Sequence, residues 1–126
     1  MSSFLIDTHV LLWWLADDAT PSARAQSLLM DPEHTCHISA ATIREIRIKE
    51  QLKKLSIPKN FESVVEHPGL SFLPITHIHA NAVAKLPLLH SDPFDRMILA
   101  QADCERVTVL THDAQFKKYK VPVVLV

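Results

Sequence analysis

The chain has 126 residues, 48% of them hydrophobic and 21% charged, with a formal net charge of −1. That size and apolar content fit one compact domain with its own core and exclude a disordered chain. A single glycine, Gly69, beside eight prolines excludes a Walker A loop and a dinucleotide-binding fingerprint, which need several glycines where backbone approaches phosphate.

Phe4, Leu5 and Ile6 form a short apolar run that ends in Asp7-Thr8, and the apolar stretch 10–16 follows at once. This predicts a buried strand feeding a helix capped by Asp7 or Thr8. Leu11, Leu12, Trp13, Trp14 and Leu15 make that helix apolar almost all round, so it is buried or covered by a partner. The stretch falls short of the ~20 residues a bilayer span needs, and no basic leader precedes it. The expectation is a cytoplasmic protein with no membrane contact. Thr20-Pro21 opens a second helix that runs to about Asp31-Pro32.

Residues 35–38 read as a second strand, after which Ser39 caps a long helix from Ala40 to about Lys54. Pro58, Pro68 and Pro74 punctuate the next stretch, with a short helix near 61–66 and a strand at 70–73. Thr76 starts a helix whose Ile78, Ala82 and Leu86 keep one apolar face. Asp92-Pro93 opens a helix over 94–103, followed by a strand at 106–110, a short helix at 113–118 and a last strand at 121–126. Strands alternating with helices predict a parallel sheet covered on both faces, an α/β sandwich of three layers formed by residues 1–126 as a single domain. Cys36 and Cys104 show no C-x-x-C spacing and read as reduced thiols.

In an open parallel sheet the carboxyl ends of all strands lie at one edge, where ligands bind. Asp7 ends the first strand and Asp113 follows the strand at 106–110, so both face that edge. Helices starting there can bring Glu45 and Asp92 or Asp95 to it. Each acid also has a local structural role: Asp7, Asp92 and Asp113 as helix caps, Asp95 against the helix dipole, Glu45 paired with Lys49. Suppose instead that four carboxylates gather at about 5 Å spacing in an effective dielectric near 20. Each like-charge pair then costs about 3 kcal/mol. A cap returns only about 1 kcal/mol, and an i,i+4 pair about 0.3–0.5 kcal/mol. Such a cluster requires protons or a cation, and oxygen ligands without cysteine favour Mg²⁺ or Mn²⁺.

Four segments carry a family resemblance. They are Ile6-Asp7-Thr8-His9-Val10-Leu11-Leu12-Trp13, then Ser39-Ala40-Ala41-Thr42-Ile43-Arg44-Glu45-Ile46-Arg47-Ile48-Lys49. The third is His90-Ser91-Asp92-Pro93-Phe94-Asp95-Arg96-Met97-Ile98-Leu99-Ala100-Gln101-Ala102, and the fourth Thr111-His112-Asp113-Ala114-Gln115-Phe116. In this order they resemble the successive motifs of PIN-domain proteins, with the VapC-type toxins of bacterial toxin–antitoxin pairs as the closest group. The resemblance implies a PIN-like fold and a Mg²⁺- or Mn²⁺-dependent endoribonuclease that hydrolyses RNA by metal-activated water, leaving 5′-phosphate and 3′-hydroxyl ends. It also implies a cognate antitoxin and a homodimer. Asp7, Glu45, Asp95 and Asp113 match the four catalytic, metal-holding acids, with Thr8, Thr111 and Asp92 in support, Asp92 through water or Arg96. The family commonly has Ser and Trp where this chain has Thr42 and Arg44. Arg44 can therefore bind RNA phosphate or blunt Glu45 by pairing with it.

RNA grip on this reading falls to Arg44, Arg47, Lys49 and Arg96, with Lys53, Lys54, Lys117, Lys118 and Lys120 behind them; a charged, solvated face is the plain alternative. A second enzyme class would use His90 and His112 as acid and base without metal. A non-enzymatic reading keeps the fold as a binding module, with Arg44 neutralising the acids and the Trp13/Trp14 helix meeting a partner. His77-x-His79 and His34-x-x-His37 lack the cysteine partners of a soft metal site.

Overall fold

The computed structural model describes residues 2–15, 23–57, 61, 63 and 69–126. Five strands form one sheet: β1 (Ser2–Ile6), β2 (His34–Ser39), β3 (Leu70–Leu73), β4 (Thr108–Thr111) and β5 (Val123–Leu125). All pairings are parallel, in the order β3-β2-β1-β4-β5. β1 lies in the middle, with Ile6 level with Ile38 on one side and Leu110 on the other. The helices are α1 (Thr8–Leu15), α2 (Ala23–Met30), α3 (Ala40–Gln51), α4 (His77–Val83) and α5 (Pro93–Glu105). A 3₁₀ helix, Ala114–Lys118, precedes β5.

The chain steps outward from β1 to β2 and β3, then returns to the other side of β1 for β4 and β5. Parallel crossovers are right-handed, so the two directions of travel put their helices on opposite faces. Phe4 and Ile6 of β1 pack with Val10 and Leu11 of α1, Leu29 of α2 and Ile46 of α3. Leu5, one residue over and on the other face, packs with Ile98, Leu99 and Ala102 of α5 and with Phe116. This is the three-layer α/β/α sandwich expected from the alternation of elements.

Local chemistry sets most of the element starts. The Ser39 hydroxyl accepts from Ala41 N–H and caps α3, and Thr76 with His79 forms a reciprocal capping box on α4. Asp92 caps α5 with Pro93 in its first turn. Several ends differ from the sequence reading. α3 stops at Gln51 rather than near Lys54 because Lys53 turns left-handed, at φ 57°. α5 runs on to Glu105, and Arg106, expected in a strand, is its left-handed cap at φ 56°. The apolar face expected on α4 is turned: Ile78 is exposed, and His79 faces inward because both its ring nitrogens find partners. Gly69, at φ 87°, sits before β3, where a Cβ would meet His34 O at 3.1 Å; its role is backbone geometry.

Both cysteines are free, and burial pushes the Cys36 thiol up to about 11, which makes it inert. Among the described residues no helix is long and apolar enough to cross a membrane. The start expected for the second helix at Thr20-Pro21 lies outside the described residues, as does most of the short helix near 61–66.

Candidate active site

The connections leave β1 and β4 in opposite directions, which places the topological switch point between their carboxyl ends. That crevice is where an open parallel sheet exposes its ligand site. Asp7 follows β1, and its N–H donates to Leu110 O of β4 at 2.9 Å, so the two strand ends are stitched together beneath the crevice. Asp113 follows β4, and Glu45 arrives on the second turn of α3, after β2. A cleft of about 350 Å³ opens here, lined by Asp7, His9, Trp13, His112, Asp113 and Ala114.

Asp7 is buried. Its Oδ2 accepts from the Thr111 hydroxyl at 2.7 Å, and the same hydroxyl oxygen accepts from Asp113 N–H at 3.0 Å. Thr111 thereby ties the two acids to one β4 side chain. Oδ1 of Asp7 has no hydrogen-bond partner. Burial raises the Asp7 carboxyl above its ordinary value, against the bond from Thr111 and the charge of His9. The Thr8 side chain shares a buried hydroxyl–hydroxyl bond of 3.0 Å with Thr42.

Glu45 is also buried. Oε2 accepts from Lys49 Nζ at 2.8 Å, while Oε1 is buried without a partner. Lys49, and not Arg44, is thus the cation on this acid; Arg44 is exposed and makes no ion pair among the described residues. Asp95 sits in the first turn of α5. Burial first, then the charges of Asp7, Asp92, Glu45 and Asp113, push its carboxyl up to about 8. Asp92 and Asp113 have definite capping duties: Asp92 Oδ1 accepts from Phe94 and Asp95 N–H, and Asp113 Oδ1 from Gln115 N–H.

The five acids therefore converge on one edge closely enough for Asp95 to feel the other four. Among the described residues, however, no three Asp, Glu, His or Cys side chains form the ready-made metal cage that the sequence argument assumed. The donor set still fits a hard cation: it is all oxygen, and two of those oxygens are buried and unmatched, an arrangement a cation or an ordered water completes.

The basic candidates part ways. Arg47 pairs with Glu50 at 2.8 Å and lies 4.7 Å from the centre of the Phe61 ring. Lys117, Lys118 and Lys120 are exposed. The structure corrects the reading of Arg96 as an RNA contact. It is buried, and its guanidinium donates to the carbonyls of Pro87, Val83 and Leu86 and to the Tyr119 hydroxyl. Nor does the Asp92 carboxylate reach it, being engaged in capping. His112 lines the cleft with its Nδ1 at 2.7 Å from Val126 O, whereas His90 stands behind Asp95 and does not line it.

Sequence reasoning missed His9, which lines the cleft beside Asp7, although its place directly after Asp7-Thr8 was a readable signal. It also missed Tyr119, which no local pattern marks.

A parallel sheet with a carboxylate-lined switch point and no glycine loop defines an α/β protein of the acidic-edge kind, distinct from the nucleotide-binding folds that share its layers. More particularly, the chain belongs to the PIN domain family, whose family model matches residues 4–122. It is 27% identical to "Ribonuclease VapC22" of Mycobacterium tuberculosis (strain ATCC 25618 / H37Rv) over 129 residues, covering 97% of this chain and 95% of that protein. Among solved structures it resembles VapBC2 from Rickettsia felis bound to a DNA fragment from their promoter, with a TM-score of 0.73, 16% identity and 98% coverage of both chains. DNA-bound VapBC from Salmonella typhimurium gives a TM-score of 0.70 at 18% identity, again covering 98% of each. VapBC-5 from Mycobacterium tuberculosis, a member of the VapBC family of toxin–antitoxin systems, gives 0.64 at 18% identity and 100% coverage of both. At these identities the solved structures support the fold.

Proposed function

We propose that this chain is a divalent-metal-dependent endoribonuclease, working as one PIN-like unit and serving as the toxin of a toxin–antitoxin pair. The observation that carries the reading is the pair of buried, partnerless carboxylate oxygens, Asp7 Oδ1 and Glu45 Oε1, at the switch point. Family membership and the likeness to a protein named as a ribonuclease support the substrate class. Asp7, Glu45, Asp95 and Asp113 would hold the ion.

Mg²⁺ or Mn²⁺, when bound, supplies the Lewis acidity that activates water toward phosphorus and neutralises the departing oxygen. The chain's own residues prepare the ground. Thr111 holds Asp7 by one oxygen and leaves the other buried without a partner. Lys49 does the same for Glu45. The caps made by Asp92 and Asp113 fix the α5 and 3₁₀ starts that carry or flank the acids. Trp13 and His112, ring centroids 4.9 Å apart, wall the cleft beside the acids, and Arg44 is an exposed cation able to meet phosphate.

The likeness to chains crystallised as VapBC complexes supports an antitoxin partner. Exposed Phe72, Ile75 and Ile78, beside an apolar groove formed by Ala40, Ile43, Phe72, Leu73 and Pro74, support a second copy of the chain as a partner, and hence a homodimer. Sedimentation equilibrium showing only monomer would overturn that part. The enzymatic part is tested by RNA cleavage with Mg²⁺ or Mn²⁺. Cleavage that stops in excess chelator and leaves 5′-phosphate ends is expected; full activity in chelator, or 2′,3′-cyclic ends, would sink the metal reading and favour histidine chemistry.

A further inference from the structure

His90 lies outside the cleft, yet it is one of the most constrained polar side chains in the fold. It is largely buried, packed edge-on to Tyr119 with ring centroids 5.5 Å apart and tilted against Phe116 at 6.2 Å. Its Nδ1 is 2.7 Å from the Tyr119 hydroxyl. Its Nε2 is buried, makes no hydrogen bond and lies 3.5 Å from Asp95 Oδ2.

Hydrogen-bond accounting around Tyr119 decides where the ring proton sits. The Tyr119 oxygen accepts from His90 N–H at 3.2 Å and from Arg96 Nη1 at 3.5 Å. Both are obligate donors, because a backbone amide and a guanidinium can only give protons. With its acceptor positions filled, the phenol has one proton left to donate, and the ring nitrogen at 2.7 Å is the acceptor facing it. Nδ1 therefore accepts, which leaves the neutral ring's proton on Nε2. That proton points into a buried space, where an unmatched N–H is costly, and Asp95 Oδ2 is the carboxylate oxygen it faces.

We propose that His90 is a positioning residue for Asp95, locked by Tyr119 and Arg96 in the Nε2–H form so that its one ring proton is presented to a carboxylate oxygen of Asp95 across 3.5 Å. The chain Arg96, Tyr119, His90, Asp95 thus carries order from the loop carbonyls before α5 to an acid in the first turn of that helix. Ligating carboxylates supported in this way present a fixed geometry to a cation.

The inference rests on Asp95 belonging to the metal-holding set, so the experiment has two readouts on the full chain. Long-range proton–nitrogen correlation spectra of the histidine rings, with His90 assigned by its loss in His90→Gln, report which nitrogen carries the proton. The expected result is Nε2–H in the unchanged protein and loss of that single form in Tyr119→Phe, a near-isosteric change that removes only the hydroxyl. A proton on Nδ1, or a Tyr119→Phe spectrum identical to the parent's, overturns the proposal.

Calorimetric Mn²⁺ binding is the second readout. His90→Leu should weaken binding about 10–100-fold, the scale for losing a group that orients a ligand, and His90→Gln, whose amide can replace Nε2–H, should recover most of it. Equal Mn²⁺ affinity in His90→Leu and the parent overturns the proposal, as does an equal loss in both variants tracking their melting temperatures. If the parent binds no Mn²⁺, the metal reading itself fails, and the spectra alone uphold or overturn the placement of the His90 proton.

Discussion

Two buried polar regions lie on either side of Asp95 and are built on opposite rules. Behind it, Arg96 meets three backbone carbonyls and a hydroxyl, so a buried charge is surrounded by acceptors. In front of it, Asp7 and Glu45 are buried with one oxygen each left unmatched, and their charges act on Asp95 together with those of Asp92 and Asp113. The first region is satisfied and holds a loop in place. The second is unsatisfied by its own chain, and a folded protein retains such a debt where something else completes it. Matched and unmatched burial thus separate scaffold from site more cleanly than residue type does, since both regions are charged.

The largest effect expected is on the unmatched side. Asp7→Asn should cut RNA cleavage by roughly two to three orders of magnitude, the scale for losing one preorganised charged group, without lowering the melting temperature. The amide nitrogen can take the position of Oδ1, which makes no bond to lose. A cleavage rate equal to the parent's would erase the contrast between the regions.

On the matched side the effect should fall on stability. Arg96→Met leaves several buried acceptors without donors and should cost roughly 3 kcal/mol in urea unfolding. An unchanged midpoint would mean that the loop does not depend on it.

Asp95 joins the two regions and gives a pH signature. Its carboxyl lies near 8 in the fold against an ordinary 3.8, so between those values the folded chain binds a proton that the unfolded chain has released. Stability of the metal-free protein therefore falls as pH rises from about 4 to about 8, and the loss is complete above that window. Asp95→Asn should leave the melting temperature nearly unchanged at pH 4 and raise it by several degrees at pH 9. The opposite order would refute the crowding of charge around Asp95.

The smallest effect concerns Lys49. Lys49 is partly solvated but Glu45 is buried, so Lys49→Gln, which keeps a hydrogen-bond donor on the side chain, should cost about 1 kcal/mol in unfolding. It should also leave Mn²⁺ affinity equal or higher, because the lysine no longer competes for Glu45.

Much of this was legible in the chain, and what was legible was local. Caps such as Ser39, Thr76 and Asp92-Pro93 act within three residues, and Glu45–Lys49 is an i,i+4 pair, so sequence spacing reveals them. The order of elements implied the sandwich, and acids placed after strands implied their common edge. What stayed hidden depends on distant partners. Arg96 looks like any surface arginine until the carbonyls of Val83, Leu86 and Pro87 fold over it, and Tyr119 meets His90 across 29 positions of sequence. Ile78 fits an apolar stripe, but the inward place on α4 goes to His79, whose partner Glu105 lies 26 residues away. The tight carboxylate cluster was likewise an assumption, because spacing along the chain fixes which edge an acid reaches and not how closely side chains from separate elements approach.

The bond between Asp7 and Thr111 spans 104 positions, and it has a consequence in time. A ribosome releases the first acid long before the strand that completes the crevice. Until β4 has emerged and inserted beside β1, the nascent chain holds Asp7 and Glu45 but has neither Thr111 nor Asp113 to set against them. On the reading proposed here, a toxin built this way is unarmed during most of its own synthesis. The pairing of β4 with β1 is the moment at which the proposed set of acids is complete.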